Sequence, residues 1–208
     1  MILEKIEKGR IIPVIALENA QDAAPLCEAL QDGGLQVAEI TFRTKAAPEA
    51  IRIVAKEFPD FALGAGTVTT LEEVEAAKEA GAQFAVAPGL NPKIVDRAKE
   101  MGLPFFPGVC TPSEVEAALD RDCKILKFFP AGAMGGLSMI KALYGPYKHR
   151  GVRFIPTGGI TAANAVDYLA NEAVLAVGGS WIVDKKLLAA RDWKSVTRLT
   201  REALIQPK

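Results

Sequence analysis

Histidine is almost missing from this chain, and so is any excess of charge. The one histidine, His149, sits in the polar stretch "YKHRG" and reads as a solvent-exposed helix end, which removes any Ser-His or Cys-His catalytic pair. Lys plus Arg and Asp plus Glu both count 25, so there is no electrostatic footprint for nucleic acid or an anionic membrane. Cysteine is scarce too. Cys27, Cys110 and Cys123 are an odd number without CxxC spacing, which excludes a disulfide framework and a zinc site and points to a reducing cytoplasm. Carboxylates and histidines at metal-ligand spacing are absent, so no metal is expected. No apolar run approaches the roughly 18 residues of a membrane span, and no basic-then-apolar leader is present. The expectation is a soluble protein acting on a small molecule.

What the chain does have is alternation. Eight short apolar runs recur: "IIPVIAL" (11–17), "QVAEITF" (36–42), "FALGAG" (61–66), "QFAVAPG" (83–89), "PFFPGV" (104–109), "KILKFF" (124–129), "RFIPTGG" (153–159) and "VLAVGGS" (174–180). Between them lie Ala- and Glu-rich stretches with apolar residues at helical spacing and a glycine where each should stop. Thr70 with Glu73 and Thr111 with Glu114 have capping-box spacing, and Asn91 before Pro92 supplies a cap and a first-turn proline. Nearly all-apolar strands separated by helices describe a parallel sheet covered on both faces, and eight units predict an α/β fold, a (β/α)8 TIM barrel, as one domain over residues 1–208. A doubly wound open sheet is the rival; it would place a Gly-rich turn after the first strand, where "VIALENA" has no glycine.

In a barrel the reactive side chains come from the C-terminal ends of the strands. Period-two alternation in "VAEITFR" puts Glu39 and Arg43 on one face with Val37 and Thr41, predicted to look inward. They are read either as an internal ion pair that steadies the barrel or as groups in use, since a buried carboxylate is costly to keep. In "KILKFF" the same rule points Lys127 inward beside two phenylalanines. Its bland reading is an amine reaching past apolar neighbours to water. The functional one is a Schiff-base nucleophile, because desolvation disfavours the charged form of an amine and a nearby guanidinium would act in the same direction.

Glycine pairs end the last two runs. Gly158 and Gly159 in "PTGGI", with Gly179 and Ser180 in "VGGSW", allow backbone N–H groups to approach a phosphate, or merely turn the chain. Thr157 and Thr161 could add a hydroxyl. Thr67 after the third run is a loop residue, a cap or a substrate donor, and Pro88 marks the rim after the fourth. Cys110 reads as a space-filling residue.

Taken in order, "EITFRT", "GAGTV", "APGL", "KFFPA", "PTGGI" and "GGSW" resemble the 2-keto-3-deoxy-6-phosphogluconate (KDPG) / 4-hydroxy-2-oxoglutarate (KHG) aldolase family over nearly the whole chain. The resemblance implies a class I aldolase of the Entner–Doudoroff pathway. Such an enzyme is a cytoplasmic homotrimer without metal or cofactor, and its small-molecule partners are a phosphorylated 2-keto acid and pyruvate. It makes Lys127 the Schiff-base lysine and Glu39 the acid/base. Arg43, Thr67, Pro88 and Phe129 would form the pyruvyl pocket, and Gly158, Gly159, Gly179 and Ser180 the phosphate loops. Gly132 departs from the pattern, standing where the family often has an acid, and the segment before Ile11 leaves little room for a capping helix. Two other readings use the same residues: a barrel isomerase with Lys127 as an electrostatic clamp, and a non-catalytic metabolite sensor.

Overall fold

The computed structural model describes residues 2–205, and every one of the eight apolar runs contains strand. Strands β1 (Ile11–Ile15), β2 (Val37–Thr41), β3 (Ala62–Gly66) and β4 (Phe84–Val86) come from the first four runs. The fifth run gives two pieces, β5 (Phe105–Phe106) and β6 (Gly108–Val109), and the last three give β7 (Ile125–Phe128), β8 (Arg153–Pro156) and β9 (Val177–Gly179). The break in the fifth run falls at Pro107, which has no N–H to donate to a ladder; its carbonyl still accepts from the Lys127 backbone at 2.9 Å.

All the ladders are parallel. A six-stranded sheet runs β5-β4-β3-β2-β1-β9 and a three-stranded sheet runs β6-β7-β8. They meet at Pro107 on one side, and on the other through isolated parallel bridges, Phe154 with Val174 and Thr157 with Gly178. The architecture is therefore a curled parallel α/β sheet whose neighbours follow chain order, with helices between strands.

Those helices are α2 (Ala23–Asp32), α3 (Ala47–Glu57), α4 (Leu71–Glu79), α5 (Pro92–Glu100), α6 (Pro112–Leu119), α7 (Gly136–Tyr147) and α8 (Ala165–Leu169), with α9 (Lys185–Ala190) and α10 (Trp193–Leu204) after the last strand. Both expected capping boxes form at α4 and α6, and the Asn91 side chain caps α5 at the Lys93 N–H. Alternation sorts the strands as the pleat requires: Ala38, Ile40, Leu126 and Phe128 join the core cluster under the helices. Val37, Ala62, Phe84 and Ile155 join a second cluster inside the curl.

One expectation fails here. The segment before Ile11 does form a helix, α1 (Ile2–Gly9), which needs only its eight residues because a single side chain anchors it. Ile6 is 0% exposed and plugs the inner cluster against Ile12, Leu35 and Val37, at the N-terminal ends of the strands. Burying an isoleucine is worth about 2 kcal/mol. Ile6 therefore adds an apolar layer across the end of the curl where the strands begin.

Candidate active site

Inside the curl, above the apolar plug, two charged side chains face each other. Glu39 projects from β2 and is 3% exposed; Lys127 projects from β7 and is 5% exposed. Their strands lie in different sheets, yet Lys127 Nζ stands 3.5 Å from Glu39 Oε1. That carboxylate oxygen is buried and accepts no hydrogen bond from the described residues. Burying two charges is repaid only when geometry and hydrogen bonding are complete, and a buried acceptor with no donor calls for an explanation. An oxygen so placed can accept a hydroxyl hydrogen or take up a proton.

The lysine's other neighbour is aromatic: its Nζ lies 5.5 Å from the centre of the Phe129 ring, which forms a half-buried wall just past β7. The loop carrying Phe129 is stitched to the loop after β8, with Ala131 N–H donating to the Thr157 carbonyl at 2.8 Å and Gly132 N–H to the Gly158 carbonyl at 2.9 Å. Gly158 and Gly159 both hold left-handed backbone, at φ of 92° and 79°, which a side chain would strain. A side chain at Gly132 would make only ordinary contacts, the nearest at 3.5 Å, so packing does not demand the glycine found there.

The glycines on the remaining loop have a different cause. A Cβ on Gly179 would lie 2.0 Å from the Trp181 ring, and one on Gly178 would lie 2.3 Å from Thr157 Oγ1. Both glycines permit close packing between neighbouring segments, and Thr157 is buried by it. Ser180 next to them is exposed. Thr161 is exposed as well, and its N–H is held by the Asn164 side chain at 2.9 Å.

Arg43 departs from the expected inward position. β2 ends at Thr41, so the alternation that points Glu39 and Thr41 inward does not extend to Arg43, which is exposed on the rim. It shares a cleft of about 670 Å³ with Leu17, Thr44 and Ser180, on the β1 and β9 side of the mouth. The Glu39 carboxylate on one side and the Phe129 ring on the other are the groups that flank the Lys127 amine. The Arg43 Nε donates to Thr41 Oγ1 at 3.1 Å.

Thr67 and Pro88 are half-buried in the loops after β3 and β4. Thr67 sits at φ 57°, a strained setting for a β-branched residue and of the kind found at binding sites. Pro88 lines a separate cavity of about 230 Å³ with Val68 and Ile94, and its carbonyl occupies the space that a Cβ on Gly108 would need.

Two participants were not singled out by sequence reasoning. Gly66 ends β3 opposite Thr41, and a Cβ there would lie 2.8 Å from Glu39 Oε1, so the carboxylate occupies a slot that only glycine leaves open. Thr41 is 1% exposed and donates its hydroxyl to the Ile15 carbonyl at 2.9 Å. Its parity was legible; its hydrogen bonds were not.

The cysteines and the histidine lie outside this arrangement. Burial pushes the Cys27 thiol up to about 12, and burial with the Glu114 carboxylate raises that of Cys110. His149 is exposed. Among the described residues no group of three or more His, Cys, Asp or Glu side chains could hold a metal, and no helix is long and apolar enough to cross a membrane.

The chain as a whole is similar to known proteins. The family model for KDPG and KHG aldolase matches residues 2–199. The 2-dehydro-3-deoxy-phosphogluconate aldolase of Haemophilus influenzae is 50% identical over 203 residues, covering 98% of this chain and 95% of that one. The KHG/KDPG aldolase of Escherichia coli K12 is 45% identical, covering 94% and 91%. Among solved structures, the KDPG aldolase of Legionella pneumophila with pyruvate captured as a covalent carbinolamine superimposes with a TM-score of 0.93 at 37% identity, covering 98% of both chains.

Proposed function

Since the chain belongs to the KDPG and KHG aldolase family, we propose that it is a class I aldolase cleaving 2-keto-3-deoxy-6-phosphogluconate to pyruvate and glyceraldehyde 3-phosphate. One observation carries the assignment of roles: Lys127 Nζ and Glu39 Oε1, both almost fully buried, are 3.5 Å apart inside the curl of the sheet.

Lys127 gives a proton to Glu39 and attacks the C2 ketone as a neutral amine, forming a carbinolamine. Glu39 returns the proton to the C2 hydroxyl, which leaves as water, and the iminium that remains withdraws electrons from the neighbouring C3–C4 bond. The freed Glu39 carboxylate then takes the C4 hydroxyl proton as that bond breaks, releasing the aldehyde and leaving an enamine. Protonation at C3 and hydrolysis of the imine give pyruvate and restore the amine. Phe129 excludes water from the iminium, and Arg43 binds the substrate carboxylate. Thr67 and Pro88 complete the pyruvyl pocket. Thr157, Gly158, Gly159, Gly179 and Ser180 hold the distal phosphate.

The two parallel sheets are read as the staves of one closed (β/α)8 barrel forming a single domain, with β5 and β6 together as the fifth stave. The hand-over at Pro107 and the two isolated bridges support this reading. Family membership supports a cytoplasmic homotrimer acting on a phosphorylated 2-keto acid and releasing pyruvate.

Pyruvate release from KDPG, its C4 epimer and 4-hydroxy-2-oxoglutarate tests the assignment. KDPG should give the highest kcat/KM. Isomerisation of a sugar phosphate without pyruvate release would favour Lys127 as an electrostatic clamp, and binding without turnover would favour a sensor.

A further inference from the structure

The turn that carries Arg43 leaves β2 just after Thr41, a polar side chain in a strand position where valine would fill the same space. Its surroundings fix it on both sides. The methyl group faces Gly66, where a Cβ would come within 3.0 Å of it, and the hydroxyl faces the Ile15 carbonyl on β1. A threonine hydroxyl has one hydrogen and two lone pairs. That hydrogen is given to Ile15, so Thr41 presents only acceptor capacity to Arg43, whose Nε–H takes it up at 3.1 Å.

Three residues on, Thr44 repeats the stitch by donating its hydroxyl to the Leu17 carbonyl, so β1 and the segment just past its end hold the turn on either side of Arg43. The guanidinium is thereby fixed by its inner edge. Among the described residues no acceptor bonds its Nη groups, and these four hydrogens keep the planar fork that binds a carboxylate through two parallel bonds.

We propose that Thr41 is a positioning residue. It relays the rigidity of β1 to the Arg43 side chain and so sets the orientation in which the rim guanidinium meets the carboxylate of a 2-keto acid. The inference rests on the aldolase reading for the identity of that carboxylate. It rests on hydrogen bonding alone for the tether.

The test compares wild type, Thr41→Val and Thr41→Ser as full chains. Thr41→Val keeps the shape and removes the acceptor; Thr41→Ser restores it. Pyruvate is titrated and the adduct at Lys127 is trapped with borohydride. Thr41→Val should raise the half-saturating pyruvate concentration about tenfold while reaching the same adduct level at saturation, and Thr41→Ser should stay within about twofold of wild type. In an Arg43→Ala background, Thr41→Val should have no further effect on half-saturation. Hydrogen exchange at Arg43 Nε, followed by nitrogen-15 NMR, should be about ten times faster in Thr41→Val.

Unchanged half-saturation in Thr41→Val, or equal losses in Thr41→Ser and Thr41→Val, overturns the proposal. A wild-type chain that traps no pyruvate sinks the aldolase reading instead. Nε exchange then decides the tether alone: faster exchange in Thr41→Val sustains it and unchanged exchange overturns it. Should Thr41→Val fail to fold, Thr41→Ala carries the same comparisons.

Discussion

Adding one methyl group at Gly66 should impair the reaction far more than it impairs the fold. In Gly66→Ala the new Cβ would stand 2.8 Å from Glu39 Oε1, 3.0 Å from Thr41 Cγ2 and 3.1 Å from Glu39 Cδ, where ordinary contact begins at 3.4 Å. The backbone there is ordinary strand, so alanine brings no conformational penalty, and the overlap is relieved by moving the Glu39 carboxylate, the closest group, together with the Thr41 methyl. The retreat needed is roughly 0.6 Å, and a displacement approaching 1 Å at a reacting group costs on the order of 100-fold in rate. Overpacking of this size costs about 1–3 kcal/mol of stability. A chain of this length then loses about 2–4 °C of Tm per kcal/mol. Coupling pyruvate release to lactate dehydrogenase should therefore report kcat lowered between about 10- and 100-fold in a protein that still melts cooperatively. A folded Gly66→Ala enzyme with kcat within twofold of wild type would refute the idea that Glu39 depends on this slot.

Other consequences follow from the same geometry. Lys127→Met leaves the Glu39 carboxylate buried and uncompensated, so it should lose about 3–5 kcal/mol in urea unfolding. The double variant Lys127→Met/Glu39→Gln should recover at least about 1 kcal/mol of that, and strictly additive losses would show that the two groups do not interact. With its thiol raised to about 12 by burial, Cys27 carries a thiolate fraction of only about one in ten thousand at pH 8. Mass spectrometry after iodoacetamide should find Cys110 labelled before Cys27 in the native protein, and labelling of Cys27 ahead of unfolding would contradict its enclosure.

Much of this site could be read from the sequence because strand parity is a local rule. Glu39 and Lys127 point inward for the same reason that Ala38 and Leu126 point outward. Capping boxes were equally local, each needing only a hydroxyl and a carboxylate three residues apart. Parity misled at Arg43, where the strand ends two residues earlier and the chain turns onto the rim. The helix α1 escaped notice because its stability lies in Ile6 meeting residues far along the chain, not in any long periodic pattern. The division of the fifth run at Pro107 was foreshadowed by the proline itself, although which sheet each half would join depends on neighbours. The roles of Gly66 and Thr41 depend on what lies across β3 and β1, and no spacing within one segment encodes that.

Mass spectrometry of the protein after incubation with pyruvate and borohydride examines the nucleophile itself. A reduced pyruvyl adduct on the peptide containing Lys127, and none in Lys127→Arg, is the predicted result. Loss of substrate with no adduct, or an adduct on another lysine, would mean that this buried amine is not the group that attacks the ketone.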